Sequence, residues 1–93
     1  KTDPLDGLTL VILSEYFVEK EQTEKALMFL ERAASVDEFA AQAQRRRGEI
    51  LALRGDYNSA LDALNNAQAI EPHRALEQYI ESIERMSKLH ERQ

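Results

Sequence analysis

Cysteine and tryptophan are missing from this 93-residue chain, and glycine and proline are scarce, at three and two residues. Without cysteine there is no disulfide framework and no thiolate metal site, although that absence identifies no compartment. So little glycine and proline disfavours a protein built of short strands and tight turns and favours long helices. A basic excess is missing too: 12 Lys and Arg stand against 17 Asp and Glu, a net charge of -5. That balance argues against a nucleic-acid binder, which must neutralise phosphates, while leaving basic partner segments electrostatically acceptable. Apolar runs are short, and one such as Leu10 to Leu13 falls far short of a bilayer span. Nothing reads as a signal peptide, so no membrane partner is expected and the favoured compartment for a soluble chain is the cytoplasm. Opening on Lys1 rather than methionine, the chain reads as a piece cut from something longer.

What is present is a globular composition, 43% hydrophobic and 31% charged, on a chain of one domain's length. Its strongest signal is internal. Sliding residues 7–40 onto 41–74, an offset of 34, sets Glu15 on Glu49, Ala26 on Ala60, Leu27 on Leu61, Leu30 on Leu64 and Ala33 on Ala67. Ser14 falls on Gly48, Phe17 on Leu51 and Val36 on Ile70 as conservative partners. A period of this length with helical patterning inside each unit points to stacked helical hairpins.

The spacing predicts a first helix from Pro4 to about Lys20, with Asp3 as its N-cap and a proline at the first helical position. After the polar tract Glu21, Gln22, Thr23, residues Ala26, Leu27, Leu30, Ala33 and Ala34 mark the inner stripe of a second helix. A third helix is expected from roughly Phe39 to Arg54 and a fourth from Tyr57 to Ile70. Between them Gly55 takes a left-handed conformation and Asp56 caps the fourth helix. Pro72 then blocks continuation. A fifth, amphipathic helix carries Leu76, Tyr79, Ile80, Ile83 and Met86 on one stripe and charge on the other.

The second unit resembles a tetratricopeptide repeat. The family pattern of large residues, glycine, alanine and proline at fixed offsets appears as Gln44, Arg47, Gly48, Leu51, Ala60, Leu64 and Pro72. In the first unit the matching residues are Leu10, Leu13, Ser14, Phe17, Ala26, Leu30 and Ala33. Gln44 and Arg47 depart from it where large apolar residues are usual, and Glu38 replaces the closing proline of the first unit. The resemblance implies an all-α, right-handed superhelical solenoid of two hairpins, residues 7–40 and 41–74, closed by a capping helix over 75–93. It further implies a non-catalytic protein-protein interaction module that captures a peptide or helix on its concave side. That groove would be lined by Leu8, Val11, Glu15, Val18 and Glu19 from the first unit and Gln42, Arg45, Glu49, Ala52 and Leu53 from the second, with Glu77 and Glu81 on the cap. Such a mixture of apolar and acidic groups suits a segment carrying some basic residues. The lysine and asparagine of the family's clamp for peptide C-termini correspond here to Val11 and Glu15, which disfavours that clamp.

Chemistry has little to work with. His73 sits at a turn and His90 near the C-terminus, with no cysteine beside either, and both read as exposed polar residues. No glycine-rich phosphate loop or nucleophile motif occurs. No enzyme activity, metal or cofactor is expected. Arg45, Arg46 and Arg47 form the one basic run, but successive helical residues point about 100° apart and so do not make a patch. The first helix carries a different clue. Leu8, Leu10, Val11, Ile12, Leu13, Tyr16, Phe17 and Val18 wrap it almost completely. A helix apolar on every side is normally covered on every side. Either a preceding repeat packs there, or two copies pair through a face containing Leu8, Ile12 and Tyr16, which makes a homodimer the alternative function.

Overall fold

The computed structural model describes residues 4–92, and among the described residues it holds five α-helices, one short 3-10 helix and no strand. The helices are α1 (Pro4–Glu19), α2 (Thr23–Ala33), α3 (Ala40–Leu53), α4 (Tyr57–Ile70) and α5 (Arg74–Glu91), with the 3-10 helix Asp37–Phe39 ahead of α3. The all-α expectation holds. Asp3, expected as the cap of α1, lies outside the described residues.

The turns that end α1 and α3 are built alike. After α3, Gly55 N–H donates to the Ala52 carbonyl at 3.0 Å and Asp56 N–H to the Leu51 carbonyl at 2.9 Å. After α1, Glu21 N–H donates to Val18 at 3.0 Å and Gln22 N–H to Phe17 at 2.9 Å. Both turns thus satisfy the helix's last carbonyls by the same crossed pair of bonds, which needs a left-handed residue just past the helix end. Gly55 supplies it at φ 83°, as its lack of a side chain predicts. In the first hairpin the left-handed residue is Glu21, at φ 59°.

Each helix packs on the next along the chain: α1 on α2, α2 on α3, α3 on α4 and α4 on α5. The faces in contact carry small and branched residues. Ala26, Leu30 and Ala33 of α2 are buried, as are Ala60, Leu64 and Ala67 of α4, each 34 positions on. Leu30 and Leu64 are completely covered, worth roughly 1.5–3 kcal/mol apiece over an exposed leucine. Helices α3 and α4 approach closely at Gly48. A Cβ built there would fall on the Leu64 side chain and within 3.2 Å of the Ala60 carbonyl oxygen. Ser14, its counterpart in α1, is equally buried and turns its hydroxyl onto the Val11 carbonyl at 2.6 Å.

Some local expectations are corrected. Asp56 makes no side-chain capping bond to α4; its carboxylate lies 3.6 Å from Arg54 Nε, and Arg54 in turn reaches Glu24 at 2.7 Å. Phe39 ends the 3-10 turn and is the N-cap of α3, within a residue of the expected helix start, and it packs against Gly7 of α1. On α5 the buried stripe is Leu76, Ile80, Ile83 and Ser87, while Met86 is exposed and Tyr79 half-buried. His73 and His90 are both exposed, as expected, and the His90 ring also meets Tyr57 edge-on at 5.7 Å. Gln44 and Arg47, the polar residues at apolar positions, bond to each other, with Nη1 donating to Oε1 at 3.0 Å.

Candidate functional site

Helices α1, α3 and α5 contribute to one open cleft of about 420 Å³. From α1 come Val11 and Glu15, and from α3 Gln42, Arg45, Arg46 and Glu49. The start of α5 adds His73, Ala75, Leu76 and Tyr79, and Leu30 of α2 closes the floor. An adjoining hollow of about 250 Å³ shares Gln42, Arg45, His73 and Leu76 and continues past Glu38, Ile70 and Glu71. The cleft size falls in the range of pre-formed binding sites, and its open side suits an extended or helical segment more than an enclosed small molecule.

Arg46 organises its charge. Its Nε and Nη2 bond both oxygens of Glu15, at 2.7 and 3.0 Å, and Nη1 reaches Glu49 at 3.2 Å. A guanidinium fork fits a carboxylate in this two-point way, so the pair fixes α1 against α3. The Glu15 hydrogen bond, opposed in part by burial, holds the Arg46 guanidinium above its ordinary value and firmly charged. Tyr79 stands on the facing wall. Burial first, and the charge of Glu49 second, push its phenol above the usual value of 10.0.

His73 sits at the helix start of α5. Its Nδ1 accepts the Ala75 backbone N–H at 3.2 Å, and the His73 backbone N–H donates to Gln68 Oε1 at 3.1 Å. Together these fix the mouth of the cleft. Arg45 is exposed and is in no ion pair among the described residues, which makes it the cation of the cleft open to a partner. Among the described residues no group of three or more His, Asp or Glu side chains is gathered as a metal would need.

Of the residues expected to line a groove, the cleft brings together Val11, Glu15, Gln42, Arg45 and Glu49. Leu8, Val18 and Glu19 lie outside it, Ala52 is buried in the core beside Leu51, and Leu53 is 85% exposed. Nor do Glu77 and Glu81 line it; α5 presents Leu76 and Tyr79 instead. Arg46, His73 and Tyr79 were not expected there from the sequence. The signal for Tyr79 was its place on the edge of the α5 stripe, three residues after Leu76; none marked which of three consecutive arginines would meet Glu15. No protein-family model, no curated protein and no solved structure matches this chain.

Proposed function

We propose that the chain is a tetratricopeptide-like, right-handed stack of two helical hairpins and a closing helix, and that it binds a peptide or helix of a partner protein in the cleft between α1, α3 and α5. The 34-residue register, the identical closure of the α1 and α3 turns and the matched burial of Ala26 with Ala60 and Leu30 with Leu64 support the stack. The single observation that carries the binding reading is that one continuous cleft draws on alternate helices, as the inner side of a stacked array does. Its walls are held before any ligand arrives, by Arg46 between α1 and α3 and by His73 at the head of α5. A pre-organised wall lowers the ordering cost of binding.

Binding rather than catalysis is favoured because the two cleft carboxylates, Glu15 and Glu49, are both engaged by Arg46. The same pairing shifts the ligand chemistry away from basic residues. The cleft offers an apolar wall of Val11, Leu30, Leu76 and the Tyr79 ring together with the free guanidinium of Arg45. The fitting ligand is therefore an apolar segment carrying one or more carboxylates. Selection from a displayed random-peptide library, followed by calorimetry, tests this. Selected peptides lose at least ten-fold in affinity to Arg45→Glu and to Tyr79→Ala, while circular dichroism stays helical. Affinity unchanged in both variants contradicts the reading.

A further inference from the structure

Helix α1 exposes a stripe of large apolar side chains that the cleft does not use: Leu8 is 44% exposed, Ile12 59% and Tyr16 52%. Stacking of another hairpin does not account for it. The residues 34 positions on are Gln42, Arg46 and Ile50, and in α3, which does have α1 and α2 packed against it, only Ile50 of these is buried. Gln42 stays exposed and Arg46 partly so even there, and a hairpin placed ahead of α1 in the same way would leave Leu8 and part of Ile12 uncovered.

The stripe is instead complementary to itself. Its members are four residues apart and symmetric about Ile12, so a second α1 laid antiparallel sets each Leu8 on the other copy's Tyr16 and the two Ile12 side chains on the axis. The charges agree. Asp6 and Lys20 are in no ion pair among the described residues, and Lys20 is held at the stripe by its own Tyr16 ring, 5.5 Å from the centroid. Antiparallel pairing brings Asp6 of one copy within a turn of Lys20 of the other. It also keeps the two Glu19 carboxylates at opposite ends, about 21 Å apart along the axis.

We propose that the chain forms an antiparallel homodimer through Leu8, Ile12 and Tyr16 of α1. The contact rests on three large side chains a copy, against roughly 20–30 residues a side in a stable interface, so association is weak and is read at high protein concentration. It is independent of the cleft, and its failure leaves peptide binding untouched.

The absence of cysteine makes cross-linking a clean test. Under mild oxidation Ile12→Cys gives a disulfide-linked dimer. Leu8→Cys and Tyr16→Cys do not cross-link singly but do so when mixed. In sedimentation equilibrium Ile12→Glu shifts the chain to monomer; Asp6→Lys and Lys20→Glu each weaken the dimer, and together they restore it. Three results overturn the proposal. A chain that stays monomeric, with Ile12→Cys reduced, has its stripe covered by something other than a second copy; Leu8→Cys cross-linking alone means a parallel pair; and a dimer that survives Ile12→Glu has its contact elsewhere.

Discussion

The Arg46 guanidinium lies in a two-point ion pair with Glu15, 31 residues earlier in the chain, and in doing so ties the first helix to the third. Both side chains keep substantial solvent contact, at 30% and 45% exposure. A pair of this kind contributes about 0.5–1 kcal/mol, less as salt rises. A double-mutant cycle with Glu15→Gln and Arg46→Gln in urea denaturation measures that coupling. Arg46→Ala costs more than Glu15→Ala, because it leaves Glu15 and Glu49 facing one cleft with no cation between them.

Glu21 and Gly55 hold the same left-handed position in two turns, at φ 59° and 83°. A residue with a side chain is strained there by about 1–2 kcal/mol, partly offset by the freedom glycine loses on folding. Glu21→Gly therefore stabilises by about 0.5–1 kcal/mol in thermal or denaturant unfolding. Gly55→Ala destabilises by about 1 kcal/mol through the backbone alone, since a Cβ there meets nothing within 4 Å.

Gly48 is limited by contact rather than by conformation. Gly48→Ala drives a methyl into Leu64 and toward the Ala60 carbonyl, and the stability lost is about 1–3 kcal/mol. The double variant Gly48→Ala with Leu64→Val recovers part of that loss. Equal losses in single and double variants would place the strain elsewhere.

The Tyr79 phenol ionises above 10.0, which ultraviolet difference titration against Tyr79→Phe measures. Glu49→Gln lowers the midpoint only in part, because burial is the larger cause and remains. Between the ordinary value and the raised one, the folded chain keeps a proton that the unfolded chain has released. Stability from this group is thus full below about pH 10 and falls as pH rises through the folded value.

The helices were legible because apolar residues recur at helical spacing and because Gly55 announces its own turn. The turn at Glu21 was less so: its hydrogen bonds copy those at Gly55, yet glutamate carries no local mark of a left-handed backbone. Ser87 replaced Met86 in the core of α5 because neighbouring residues on a helix differ by about 100°, which a pattern of large apolar residues does not resolve when the buried one is small. Five of the twelve expected groove residues meet in the cleft, Val11 with Arg45 and Glu15 with Glu49 among them, since positions 34 apart point alike. Arg46 and His73 were missed for one reason. What each does depends on a partner in another element, Glu15 in α1 for Arg46 and Gln68 in α4 for His73, and no spacing within one helix encodes it.

The most direct test of the binding account is amide chemical-shift mapping of the ¹⁵N-labelled chain with a library-selected peptide. The account predicts perturbations gathered at Val11, Glu15, Arg45, Glu49, Leu76 and Tyr79, across α1, α3 and α5 together. Perturbations confined to one helix, or centred on the outward-facing Leu53 and Met28, would contradict it.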